Sequence, residues 1–316
     1  MRRQILLAVL AVFLFVALGV PFMIPLDDTG LQPATALADP EGRFIEVAGL
    51  QAYVLEHGPA DGEPVVFVHG LFGSTFSWRY NLEAVAEAGY RAIAYDRPGA
   101  GLTEPRADFD YSVAGQADFL AALLDSLKID RARFVAHSAG GSVLAEFALR
   151  YPERIERQVI VDGAILSGAP PIDIGPLVAF APVNRWGRLA LRTFVTPEAV
   201  ASGVRGLQAD AGFWTTADDA GYGRAVRMQD WEIGFLGLIR DRGRTPQPTE
   251  AQLRTLAAST LLIWGEADTA TPLEQGKRLA EWLPNARLIV YPGVGHQPFE
   301  EAADAFNQDV IAFLDE

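Results

Sequence analysis

The first strong feature along the chain is an unbroken apolar stretch, residues 5–26, that carries no charge and follows Met1-Arg2-Arg3. Spanning hydrocarbon takes about 20 such residues, so the pattern predicts a transmembrane helix with its basic end inside. The apolar part of a signal peptide is shorter, about 7–15 residues. The expectation is therefore an uncleaved anchor over residues 1–26, with the rest of the chain held outside the cytoplasm. The alternative is a secreted or periplasmic protein released by cleavage near Ala38, where Ala36-Leu37-Ala38 has the small-x-small form. Residues 27–42, rich in Pro, Ala and Asp, read as a linker.

Beyond residue 42 short apolar runs alternate with helical periodicity. Residues 43–47 and 51–56 flank Ala48-Gly49-Leu50 and predict an opening hairpin. Further β-branched and aromatic runs lie at 65–68, 91–95, 133–136, 158–161, 261–264 and 288–291. Between them, residues 112–127, 139–150 and 302–314 repeat apolar positions at helical spacing, the first behind a serine in cap position. Continuous apolar strands alternating with helices predict a mostly parallel eight-stranded sheet covered by helices on both faces, an α/β fold. No internal repeat is present.

The alternation stops between residues 167 and 250. That stretch holds Pro170, Pro171, Pro176 and Pro182, many glycines, and aromatics that include Trp186, Trp214, Trp231 and Phe235, with no good strand. It reads as a helical cap inserted over the sheet, not as a second independent domain. The core is then residues 43–166 and 251–316.

Composition narrows the partners. The chain has 316 residues, 26 basic and 40 acidic, for a net charge of −14. This argues against nucleic acid, which demands clustered Lys and Arg. Half the residues are hydrophobic, which excludes a disordered chain. With no cysteine, disulfides, thiolate metal sites and cysteine nucleophiles are excluded. The four histidines are scattered without ligand spacing, so no metal is expected.

The chemistry concentrates at Arg133-Phe-Val-Ala-His137-Ser138-Ala139-Gly140-Gly141. An apolar strand runs through a small-x-Ser-x-Gly turn straight into a helix, the form of a nucleophile elbow. The position before His137 is Ala136, where glycine is usual. Serine is a weak nucleophile and requires a base. His296 is the one histidine that follows Ser138, in the loop after the last strand. His57 and His137 read as structural, the latter packed beneath the elbow. The acid that orients the imidazole is expected from the end of another strand. Asp268, on the turn after 261–264, is the first choice, with Glu266 and Asp162 as rivals. Oxyanion donors are expected from the backbone N–H of Ala139 and of Leu71, with Phe72 as fallback, in His69-Gly70-Leu71-Phe72-Gly73-Ser74. Asp96-Arg97-Pro98-Gly99-Ala100-Gly101 reads as a structural loop held by Arg97.

The segments V-H-G-L-F-G-S, Y-D-R-P-G-A-G-L, A-H-S-A-G-G, W-G-E-A-D and G-V-G-H, in this order, resemble the α/β-hydrolase fold family. The resemblance covers about residues 43–166 and 251–316. It implies a triad of Ser138, Asp268 and His296 and no cofactor, and the insertion looks like the family's cap. Members with aspartate at the elbow, the haloalkane dehalogenases and epoxide hydrolases, are disfavoured by Ser138. The expected function is an esterase: hydrolysis of a carboxylic ester of a small to medium apolar substrate through an acyl-enzyme. Carbon–carbon bond hydrolysis, amide hydrolysis and cofactor-free haloperoxidation are the alternatives. A non-catalytic ligand-binding protein and a membrane-tethered interaction protein are the other classes; the complete set of triad residue types disfavours both. The expected partners are a small apolar ester or acyl compound and, through the N-terminal segment, a membrane.

Overall fold

In the computed structural model, residues 2–168 and 172–316 are described; Met1, Pro170 and Pro171 of the segments discussed above lie outside them. Eight strands form one sheet: β1 (Arg43–Val47), β2 (Leu50–His57), β3 (Pro64–Val68), β4 (Arg91–Tyr95), β5 (Ala132–His137), β6 (Ile155–Val161), β7 (Ser259–Gly265) and β8 (Ala286–Tyr291). Their order is β1-β2-β4-β3-β5-β6-β7-β8. The β1–β2 and β2–β4 pairings are antiparallel and all others parallel. The hairpin turn places Ala48 and Gly49 at φ 49° and 78°, the left-handed pair that tight hairpins require.

The unbroken apolar strands divide their side chains between two faces with period two. Val66, Val68, Phe134, Ala136, Ile160, Leu262 and Trp264 join one buried cluster with Phe119, Phe147 and Leu279. Val65, Phe67, Val135, Val159, Val161, Leu261 and Ile263 join the other with Trp78, Phe306 and Phe313. The helices Val113–Ser126 and Ala139–Arg150 pack on the first face, and Ala303–Leu314 on the second. Ser112 caps the first of these, its Oγ accepting from Gly115 N at 3.1 Å. Two core helices, Leu82–Glu87 and Leu273–Trp282, were not anticipated from periodicity.

Between β6 and β7 the described residues form six α-helices joined by turns and loops: Gly175–Ala179, Ala181–Phe194, Pro197–Arg205, Thr216–Gly223, Trp231–Asp241 and Glu250–Leu253. Glu232, fully buried, binds Arg188 Nη2 at 2.7 Å and Arg192 Nε at 3.0 Å and ties two of these helices together.

The N-terminal stretch corrects the expectation of a membrane anchor. The helix is Arg2–Leu18, 17 residues with a rise of about 26 Å, against about 30 Å of hydrocarbon. No helix among the described residues is long and apolar enough to cross a membrane. The apolar run is continuous in sequence but not in conformation. A four-residue helix with Pro21 in its first turn follows, and Ile24 is extended at φ −87°, ψ 117°. The chain then turns back onto the inserted helices. Trp186 Nε1 donates to the Ala17 carbonyl at 3.1 Å, and Arg185 Nη2 to that of Ile24 at 2.7 Å. Placement outside the cytoplasm, whether anchored through residues 1–26 or released by cleavage near Ala38, is not retained. The predicted linker is an ordered arm. Arg192 Nη1 donates to Asp28 Oδ1 at 2.6 Å, Gln32 N to the Arg227 carbonyl at 2.8 Å, and Arg224 Nη1 to Asp39 Oδ2 at 2.7 Å.

Candidate active site

Ser138 stands between β5 and the helix Ala139–Arg150 at φ 50°, ψ −119°. A non-glycine residue in that region carries about 1–3 kcal/mol of strain and persists only where its surroundings hold it. Here Ser138 N donates to the Val161 carbonyl at 3.0 Å, and the Ser138 carbonyl accepts from Gly141 N and Ala164 N, each at 2.9 Å. Gly140 is required by proximity. A Cβ there would lie 2.3 Å from the Val68 carbonyl oxygen and 2.7 Å from that of His69. The helix therefore begins against the end of β3, beside the loop that leaves it.

That loop is pinned from below. Buried His69 donates from Nδ1 to the Gly70 carbonyl at 2.8 Å and accepts at Nε2 from Arg97 N at 2.9 Å. Arg97 Nη2 reaches the same carbonyl at 3.1 Å, so the loop after β4 holds the loop after β3. Burial lowers the Arg97 pKa to about 10, and still leaves it charged at neutral pH. Phe72 has φ 59°, and a turn closes from Gly73 N to the Gly70 carbonyl at 3.2 Å. Among the described residues, the amides of Leu71, Phe72 and Ala139 have no acceptor in the protein.

His296 is 3% exposed and Asp268 7%. The structure settles which carboxylate faces the imidazole. His296 Nδ1 donates to Asp268 Oδ2 at 2.7 Å, which leaves Nε2 as the free acceptor. Asp268 Oδ1 accepts from Ala270 N at 2.7 Å and Thr271 N at 3.0 Å. The Thr271 hydroxyl lies 2.6 Å from Asp268 Oδ2. Burial alone would raise the Asp268 pKa; the His296 bond and the Thr271 donors outweigh it and hold it below the usual carboxylate value. Glu266 is exposed and bonds Gly293 N at 3.3 Å, away from the imidazole. Asp162 is fully buried beside Asp268.

His137 lies under the site. Its Nε2 donates to the His296 carbonyl at 2.8 Å, and the two rings are 4.7 Å apart. Burial keeps it neutral, well below the usual histidine range. The residue before Ser138 is thus tied to the backbone of the His296 loop. Ser138 Oγ forms no hydrogen bond among the described residues, and such contacts commonly tighten only around substrate. His57 is remote, at the end of β2, with Glu83 at 2.9 Å.

Residue types alone did not point to Thr271 or to the network behind His296. Thr271 is three residues after Asp268 in Asp-Thr-Ala-Thr, a spacing that could have marked it. Glu300 is buried and accepts from Arg79 Nη1 at 2.5 Å and from Gln208 Nε2 at 3.0 Å. His296 N donates to the Leu207 carbonyl at 3.0 Å, so the inserted segment touches the histidine loop directly.

A narrow pocket of about 40 Å³ opens beside the oxyanion-loop residues Leu71 and Phe72 rather than over Ser138 itself. Val226, Met228, Trp231 and Phe235 from the inserted segment close it, and no lining residue is charged.

The family model described as "alpha/beta hydrolase fold" matches residues 63–303. An uncharacterised hydrolase of Bacillus subtilis is 27% identical over 274 residues, covering 86% of this chain and 97% of that protein. A 2-hydroxy-6-oxononadienedioate/2-hydroxy-6-oxononatrienedioate hydrolase of Cupriavidus pinatubonensis is 29% identical over 264 residues, 81% of this chain and 88% of that one. A meta-cleavage product hydrolase from Pseudomonas fluorescens superposes with a TM-score of 0.72 at 26% identity, covering 87% of this chain and 97% of that one. Because the family match runs from β3 past His296 and takes in the elbow and the Asp268–His296 pair, the chain belongs to the α/β-hydrolase fold family and is a hydrolase.

Proposed function

We propose that this hydrolase cleaves a carboxylic ester whose acyl or alcohol part is small to medium-sized and apolar. Ser138 Oγ attacks the carbonyl carbon while His296 Nε2 takes its proton. Asp268 stabilises the imidazolium, and the amides of Leu71 and Ala139 hold the oxyanion. Collapse expels the alcohol, which leaves with the proton from His296. Water then attacks the acyl-enzyme with His296 as base, releasing the acid and restoring Ser138. Residues 167–250 serve as a cap that supplies the apolar wall. The observation that carries the ester reading is the uncharged lining of the pocket beside Leu71 and Phe72, suited to a neutral group.

The test is hydrolysis of p-nitrophenyl esters of increasing acyl length by the full chain and by Ser138→Ala. Wild-type turnover should fall by about 10⁴–10⁶ in the variant while binding survives. Near-normal turnover by Ser138→Ala would overturn the assignment, and a flat profile across acyl lengths would remove the pocket argument.

Carbon–carbon bond hydrolysis is the second reading, favoured by the names of two relatives. A dioate substrate carries carboxylates, and the pocket lining offers them no cation. Turnover of a ring-cleavage product without ester turnover, with fluorophosphonate still labelling Ser138, would put this reading first.

A further inference from the structure

The triad accounts for two of three ionisable groups that meet at the ends of β6 and β7. The third is Asp162. One carboxylate oxygen each from Asp162 and Asp268 and a ring nitrogen of His296 lie within 4.8 Å of one another, all buried. The backbone goes to some cost to put Asp162 there: its φ is 44°, in the left-handed region. Its N donates to the Ile263 carbonyl at 3.0 Å. Its Oδ1 accepts from Gly265 N at 2.9 Å. Its Oδ2 is buried without a partner.

Two carboxylates this close, out of water, do not both ionise. The donors decide which of them keeps the proton. Asp268 is served by His296 Nδ1, Ala270 N, Thr271 N and the Thr271 hydroxyl. The Asp162 carboxyl is served by Gly265 N alone. The Thr271 hydroxyl also lies 2.9 Å from the Asp162 carbonyl, but has one proton for both acceptors. Glu301, held by the amides of Ala209 and Gly295, acts on Asp162 only at longer range and in the same raising direction. A proton on Asp162 Oδ2 removes the second charge and turns the unpartnered oxygen into a donor aimed at Asp268.

We propose that Asp162 is a positioning residue of the active site: as a neutral carboxylic acid it donates to Asp268 and fixes that carboxylate against His296. This rests on the reading of Asp268 and His296 as acid and base. The arrangement leaves a single negative charge beneath the imidazole. A second charge would favour the imidazolium in the resting enzyme, and an imidazolium cannot take the Ser138 proton. Burial pushes Asp162 well above the usual carboxylate range, in the direction this requires.

The experiment has two parts on the full chain. In the first, aspartate is labelled with ¹³C at the carboxyl carbon, which leaves Glu300 silent, and the resonances are followed at pH 8, where Asp96, raised by burial to about 6, is ionised. One aspartate of the wild type should be neutral at pH 8. Its signal should vanish in Asp162→Asn and should titrate at lower pH in Asp268→Asn, where the neighbouring charge is gone. No neutral aspartate in the wild type overturns the proposal without any variant. In the second part, kcat and KM for the best ester are measured against pH. Asp162→Asn keeps the donor and should retain kcat within about threefold with the same pH midpoint. Asp162→Ala removes the donor and should lower kcat by about 10–100-fold with KM unchanged. Equal impairment of both variants overturns the proposal. Failure of the triad reading is distinguishable, because His296→Ala would then retain turnover whatever the carboxyl signal shows.

Discussion

Gly140→Ala separates the packing argument for the elbow from ordinary helix propensity, because the two predict opposite signs. In the first turn of a helix alanine is favoured over glycine by up to about 1 kcal/mol. The structure predicts a loss instead. The new Cβ would sit 2.3 Å from the Val68 carbonyl oxygen, where an ordinary contact begins at 3.4 Å. The shortfall is 3.4 − 2.3 = 1.1 Å. The obstructing atoms are backbone at the end of β3, which lies between β4 and β5 and cannot rotate away. The helix must therefore lift by about 1 Å, carrying Ser138 and the Ala139 amide with it. Overpacking of this kind costs about 1–3 kcal/mol, and a 1 Å misplacement of reacting groups costs about 10²-fold in rate. Urea unfolding and kcat on the best p-nitrophenyl ester measure the two effects. Gly203→Ala is the control: nothing lies within 4 Å of its Cβ position, in the helix Pro197–Arg205. That change should stabilise by about 0.4–1 kcal/mol and leave kcat alone. Wild-type stability and turnover in Gly140→Ala would refute the close approach on which the elbow geometry rests.

Other perturbations have equally definite signs. His137 is held neutral by burial, so below pH 6.5 the unfolded chain takes up a proton that the native state does not. Stability then falls as the pH falls: unfolding free energies of wild type and His137→Gln should diverge by about 1.4 kcal/mol in total by pH 5.5, with wild type the loser. Parallel curves would mean that His137 is charged in the native state. Glu232→Ala removes the shared buried partner of Arg188 and Arg192, which keep Asp230 and Asp28, and should cost about 1–3 kcal/mol in chemical denaturation, with Glu232→Gln milder. Trp231→Ala opens the pocket wall and should move the preferred acyl chain to greater length; an unchanged profile would place the acyl group elsewhere.

The features legible in the sequence are those that short segments carry by themselves. Alternation within 65–68, 133–136 and 261–264 determines both faces of the sheet, because each strand needs only its own residues to declare its period. The serine turn declares itself through Ala136, Gly140 and the helix that follows. Asp162 was visible as a rival acid, but its contact with Asp268 depends on the β6–β7 register, Val161 beside Ile263, which no local pattern reveals. Thr271 acts through a turn geometry that only the fold supplies. Leu82–Glu87 is six residues long, too short for periodicity to stand out. The N-terminal stretch misled because hydropathy sums over residues and conformation does not. Pro21 and the extended backbone at Ile24 divide a run whose composition is uniform.

The arm formed by residues 17–39 bears on how the molecule assembles. Its bonds to the inserted helices join residues 161, 164 and 185 positions apart. Gln32 pairs with Met228, so nearly three-quarters of the chain must exist before the arm has a partner. Closing so long a loop is entropically slow, and contacts of this separation form late. On the ribosome the arm emerges ahead of these partners and waits, while β1 to β6 can already collapse behind it. The arm can therefore dock only after the inserted helices have been made, at a stage when β7 and β8 of the sheet are still to come.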